Sequence, residues 1–189
     1  MKGNIFIITG PSGVGKTTVA MELLKRRPQL KKVVTCTTRS PREGEVNGVS
    51  YHFLGKETFQ QLIDHDELFE WDEHYGNFYG SRRSDVRALI DSGNDVLFVI
   101  DVEGAKTIQQ EHPDTRVIFI DAESDDVLMK RLTARDQGKT VNLEERLRAI
   151  QNERSYGATC EYRVVNQEGN LEKTVQEVLG IMEHLDEKS

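Results

Sequence analysis

Eight consecutive residues of the 189-residue sequence, Gly10-Pro11-Ser12-Gly13-Val14-Gly15-Lys16-Thr17, could hold a phosphate chain by themselves. They follow G-x-x-x-x-G-K-[ST], a pattern with a mechanism behind each fixed position. Glycines let the backbone wrap tightly, so that successive N–H groups point at phosphate oxygens. A helix starting there adds partial positive charge. Lys16 is suited to the β- and γ-phosphates and Thr17 to a Mg²⁺ ion, with Thr18 read as part of the same ATP site. A chance glycine-rich turn is the plain alternative, and the flanking pattern argues against it. A buried-strand run, Asn4 to Thr9, precedes the motif, and a helical pattern, Thr17 to Arg26, follows it. A P-loop also needs a metal-supporting acid at the end of another strand. Asp101, after the apolar run Val96 to Ile100, fits that part, and it fits equally the cap of a following helix.

The elements that would position these residues alternate. Further buried strands are expected at Arg116 to Ile120 and Tyr162 to Val165. Helices are expected at Ser84 to Asp91, Gly104 to Glu111, Asp125 to Arg135 and Leu171 to Leu185. Such alternation predicts an α/β fold, a P-loop NTPase core whose central parallel sheet is flanked by helices. Two segments interrupt it. Residues 35–81 hold short strand candidates at Tyr51 to Phe53, Leu68 to Trp71 and Phe78 to Tyr79, which read as an inserted small α+β lobe. The polar stretch Gln137 to Asn142 reads as a short helical lid.

A net charge of −7 argues against a general affinity for nucleic acid or anionic membrane, so an anion site must be a local cluster of Lys and Arg. Cys36 and Cys160 form no metal-ligand spacing, and a reducing cytoplasm suits them. The apolar run after Met1 is too short for a signal h-region or a membrane span. In the insert, Arg39 and Arg42 stand three apart in a threonine-rich segment broken by Pro41. Guanidinium forks suit bidentate phosphate binding, although a solvated basic loop has the same composition.

The chain resembles the guanylate kinase family almost end to end. The resemblance is carried by T-T-R-S-P-R-E-G-E (Thr37 to Glu45), G-V-S-Y-H-F (Gly48 to Phe53), F-E-W (Phe69 to Trp71) and G-N-F-Y-G-S (Gly76 to Ser81). I-D-V-E-G (Ile100 to Gly104) and V-V-N (Val164 to Asn166) add to it. It implies one domain over residues 1–189: a core of 1–33, 82–125 and 156–189, a GMP-binding insert of 34–81 and a lid region of 126–155. It implies transfer of the ATP γ-phosphate to GMP, and to dGMP as well, with Mg²⁺ and no other partner than these small molecules, in a monomer or homodimer. By the same resemblance Arg39, Arg42, Tyr51 and Tyr79 hold the GMP phosphate, and two guanidiniums with two phenols make a suitable dianion clamp. Glu70 takes guanine, accepting from N1–H and the 2-amino group together, a pattern adenine lacks. Thr35, Gly80, Ser81 and Asp101 complete the GMP site. Asp72 and Glu73 match no such role and read as surface charge.

The resemblance also places Arg135 and Arg146 over the transferring phosphoryl group, Arg131 beside the nucleotide and Asn166 at adenine. Arg131, Arg135, Arg146 and Arg148 surround the lid segment, and surface ion pairing with Asp136, Glu144 and Glu145 is the alternative use of them. Lys16, Arg39, Arg135 and Arg146 are the expected catalytic set, and in-line transfer asks of them positioning and charge neutralisation alone. The chain departs from the family pattern at Thr35, where a serine is usual, and at Val99, where the first acid of D-x-D is usual. A catalytically dead, kinase-like binding module is the rival from another class. The intact Gly10, Gly15, Lys16, Thr17, Arg135 and Arg146 argue against it. A kinase for a different phosphorylated acceptor is the second rival, and Glu70 argues against that one.

Overall fold

The computed structural model describes residues 3–74, 76–135 and 143–187, leaving out the side chains of 135, 143–146 and 187. The segment expected as a lid, Gln137 to Asn142, therefore lies outside the described residues. In chain order the elements are β1 (Ile5–Thr9), α1 (Lys16–Arg26), β2 (Leu30–Lys32), β3 (Cys36–Thr37), β4 (His52–Phe53), α2 (Lys56–Asp64), β5 (Leu68–His74) and β6 (Asn77–Arg82). They continue with α3 (Arg83–Asp91), β7 (Asp95–Val99), α4 (Val102–Glu111), β8 (Arg116–Ala122), α5 (Asp125–Arg135), α6 (Leu143–Gly157), β9 (Tyr162–Asn166) and α7 (Leu171–Glu187).

A five-stranded sheet runs β2-β7-β1-β8-β9, and every pairing in it is parallel. Strand alternation divides its apolar side chains between two layers. Phe6, Ile8, Leu97, Ile118, Ile120 and Val164 pack with Val19 and Leu23 of α1 and Val178 of α7. Ile7, Val96, Phe98 and Val117 pack on the opposite face with Val86 of α3 and Ile108 of α4. Burial on both faces is why these strands read as unbroken apolar runs. β1 pairs with β7 on one side and β8 on the other, so the sheet order reverses there. A crevice opens beyond the carboxyl end of a strand at such a switch. The motif Gly10–Thr17 and Asp101 both lie at that edge, one after β1 and one after β7.

The second sheet has the order β4-β3-β6-β5, over a small cluster of Cys36, Phe59 and Leu68. In its β5–β6 ladder Glu70 faces Ser81, Asp72 faces Tyr79 and His74 faces Asn77. Three elements had no clear sequence signal, the first being the two-residue β3 inside the threonine-rich segment. β2 is an edge strand paired with β7 alone, and its Leu-Lys-Lys needs no apolar run. α2 buries only Phe59. β5 extends three residues past its expected end, and β6 starts one residue before and ends three past its own, because they pair with each other out to His74 and Asn77 and back to Leu68 and Arg82.

Candidate active site

The cradle is pinned from three sides. Gly10, Gly13 and Gly15 have φ of 135°, 85° and 100°, in the region that side chains disfavour. At Gly10 a Cβ would come within 1.9 Å of the Ile120 carbonyl oxygen, so the turn lies directly on β8. At Gly15 it would come within 2.6 Å of Asn166 Nδ2. That amide, at the end of β9, donates to the Val14 carbonyl at 2.8 Å, while its Oδ1 accepts from Thr174 Oγ1 at 3.1 Å. Arg131 of α5 reaches the same Val14 carbonyl at 3.3 Å and the Asn166 carbonyl at 3.4 Å. Asn166 is thus buried and holds the loop, a positioning part that the adenine expectation did not contain. Lys16 Nζ folds back onto the Gly10 carbonyl and, at 3.2 Å, the Pro11 carbonyl. Thr17 and Thr18 are exposed on the first turn of α1.

One cleft of about 950 Å³ joins this cradle to the second sheet, running from Lys16 and Thr17 to Arg39, Tyr51 and Glu70. Arg39 Nη2 donates to both carboxylate oxygens of Glu45, at 2.8 and 3.0 Å, and Glu45 also accepts from the Arg42 backbone N–H at 2.7 Å. The Arg39 guanidinium lies 5.4 Å from the Tyr51 ring centre. Tyr51 and Tyr79 meet edge to face at 6.4 Å. Three of the four residues expected around the acceptor phosphate are thereby gathered, and Arg42 lines the same cleft. Glu45 is a residue to which the sequence reading gave no part. It holds the Arg39 guanidinium beside the Tyr51 ring.

Glu70 is 4% exposed, and its Oε1 accepts from the Ser81 hydroxyl at 2.7 Å. Burial pushes its carboxyl up to about 8, opposed by the Ser81 hydrogen bond and reinforced by the charges of Asp101 and Asp72. Ser81 is itself fully buried, so it meets the cleft through Glu70. Gly80 is buried where β5 crosses close, its Cβ position 2.8 Å from the Glu70 carbonyl oxygen. Thr35 is buried and lines the cleft.

Asp101 is half-buried at the end of β7. Its Oδ1 caps α4 by accepting from the Gly104 N–H at 2.9 Å, so the cap reading of this residue is realised, and it still lines the cleft. Thr17 and Asp101 offer oxygens only, the donor type that Mg²⁺ takes. Val99, where a second acid was expected, lines the cleft with an apolar side chain. The expectation that Asp72 is surface charge fails. Alternation along β5 from buried Glu70 turns Asp72 and His74 to the same face, and Asp72 is half-buried in the cleft. Glu153 of α6 was also missed. It lines the cleft, and its carboxyl is raised by burial against the lowering charge of Lys16. Its position seven residues past 146, two helical turns, was the available signal. Arg135 closes α5 and position 146 falls in the first turn of α6, and their side chains are outside the described set.

Comparison with known proteins agrees with this geometry. The family model described as guanylate kinase matches residues 2–185. A guanylate kinase of Synechocystis sp. is 45% identical over 166 residues, covering 88% of this chain and 87% of its own. A guanylate kinase of Idiomarina loihiensis is 41% identical over 170 residues, covering 89% of this chain and 81% of its own. The crystal structure of guanylate kinase from Anaplasma phagocytophilum superposes with a TM-score of 0.79 at 30% identity, covering 97% of this chain and 86% of that one.

Proposed function

The chain belongs to the guanylate kinase family and phosphorylates GMP to GDP at the expense of ATP, and from that premise we propose how its own residues divide the work. The core, residues 1–33, 82–125 and 156–189, carries the donor site. Residues 34–81 form the acceptor lobe and 126–155 the lid region. The observation that carries this reading is Glu70, a buried acid that accepts from Ser81 and lines the same cleft as Lys16.

The backbone from Gly10 to Lys16 cradles the ATP phosphates, with Thr17 and Thr18 at the opening of α1, Arg131 at the nucleotide and Asn166 behind the loop, its adenine contact lying in the same corner. Lys16 leaves the Gly10 and Pro11 carbonyls for the β- and γ-phosphates. Thr17 and Asp101 are the residues that would hold Mg²⁺, which supplies charge neutralisation at the β- and γ-oxygens. Glu70, Ser81, Thr35 and Asp101 seat guanine beside Gly80. Arg39, Arg42, Tyr51 and Tyr79 hold the acceptor phosphate, Arg39 exchanging Glu45 for it. Transfer is in-line and direct, with Arg135 and Arg146 closing over the phosphoryl group and excluding water. dGMP enters as a second acceptor. Among the described residues no helix is long and apolar enough to cross a membrane. We place the enzyme in the cytoplasm, as a monomer or homodimer, without nucleic-acid or membrane partners.

A coupled ADP-release assay with Mg-ATP against GMP, AMP, CMP and UMP tests the acceptor assignment. Turnover with GMP at least about 10⁴-fold above AMP in kcat/KM is expected from a paired carboxylate contact. A preference for AMP contradicts it.

A further inference from the structure

Asp72 has no part in the scheme above, yet its position on β5 gives it one. Glu70, Asp72 and His74 share the face of β5 toward the cleft, while Trp71 and Glu73 are exposed on the other. Across the ladder Glu70 stands opposite Ser81, and Asp72 opposite Tyr79. Glu70 and Ser81 belong to the base seat, and Tyr79 to the phosphate clamp. The usual strand rise separates them by about 6.6 Å, roughly the span of the sugar that joins base to phosphate. Asp101 comes in from β7 on the far side, with ligand atoms of Asp72, His74 and Asp101 all within 4.8 Å of one another. His74 Nδ1 lies 3.8 Å from Asp72 Oδ2, too far for a hydrogen bond.

The charge pattern of the cleft narrows what Asp72 can meet. Arg39 and Arg42 draw the phosphate toward β3 and the loop after it, and a carboxylate at Asp72 repels it from β5. Glu70 already occupies the N–H edge of the base. Neutral donors remain, and the sugar hydroxyls are the only ones on a nucleoside monophosphate between base and phosphate. We propose that Asp72 is a specificity-determining residue of the acceptor site, its carboxylate accepting from the hydroxyl edge of the ribose and so favouring GMP over its deoxy forms. This rests on the acceptor seat proposed above.

The test is kcat/KM for GMP, 2′-dGMP and 3′-dGMP with the wild type, Asp72→Asn and Asp72→Ala, with AMP as the base control. The wild type is expected to favour GMP over at least one deoxy form by about ten- to a hundredfold, the scale of one hydrogen bond to a charged group. Asp72→Ala should lower GMP toward that deoxy form and leave the deoxy form and the discrimination against AMP nearly unchanged. Asp72→Asn, which keeps the shape, separates lost contact from lost folding. An equal fall for GMP and both deoxy forms overturns the proposal. So does a changed Mg²⁺ requirement with an unchanged sugar preference, which would make Asp72 a cation ligand. Failure of the acceptor seat itself looks different, as a Glu70→Gln enzyme that still rejects AMP.

Discussion

The two ends of the cleft are built on different principles. The donor cradle is backbone, eight contiguous residues held against β8 at Gly10, against Asn166 at Gly15 and by Arg131 at Val14. The acceptor seat is side chains, collected from β3 to β7 and the loops between them, and its charges are engaged internally in the structure. Arg39 is on Glu45, and Glu70 is on Ser81. A backbone cradle serves any nucleoside triphosphate, so it can be rigid and unselective. A side-chain seat has to discriminate, and groups held by internal partners can exchange them for the right substrate. The cradle therefore accounts for phosphate binding, and the seat for the identity of the acceptor.

The sharpest break in this comparison is at Lys16, the charged side chain that the cradle motif itself carries. Lys16→Ala should lower kcat by about a thousandfold or more, the scale of losing a charged group aimed at the transferring phosphoryl. GMP affinity measured without ATP should stay near the wild type. A joint loss of GMP binding would mean that the two ends are not separable. A smaller effect is expected at Asn166. Asn166→Ala leaves the Val14 carbonyl with Arg131 alone and Thr174 with only its longer contact to the Asn170 carbonyl at 3.4 Å, a cost of about 1–3 kcal/mol in stability for lost buried hydrogen bonds. A lower melting temperature and a raised KM for ATP should follow, with the KM for GMP unchanged. Equal rises in both KM values would show that the brace supports the whole cleft.

The same contrast explains what could be read in the sequence. The cradle was legible because contiguous backbone chemistry leaves a contiguous pattern, and the buried parallel strands because they need apolar side chains on both faces. β2 escaped because an edge strand carries no such demand. In the acceptor seat the Arg39 and Arg42 pair was marked by its spacing as one of two readings, while Glu70 and the two tyrosines came from resemblance, since a lone acid beside Trp71 has no spacing signature of its own. Asp72 was misjudged because alternation along β5 was not extended past Trp71. Counting by twos from a buried Glu70 would have turned it inward. Glu45 acts on Arg39 across a loop, where no spacing is fixed by local structure, and Glu153 was marked only by its helical spacing from position 146.

Glu70 is where the account is most exposed. Burial pushes its carboxyl up to about 8, which favours the protonated form near neutral pH. Guanine offers two N–H donors and needs the carboxylate, so binding should expel a proton below that pH. The direct measurement is calorimetric titration with GMP from pH 6.5 to 8.5, in buffers of different ionisation enthalpy, for the wild type and Glu70→Gln. The phosphate is mainly dianionic over this range, and the variant corrects for what remains of its titration. The account predicts proton release and an affinity rising by up to about tenfold per pH unit below 8 in the wild type, and a weak, nearly pH-independent affinity in Glu70→Gln. Equal affinity in the two proteins, or a wild-type affinity that falls as the pH rises toward 8, would contradict it.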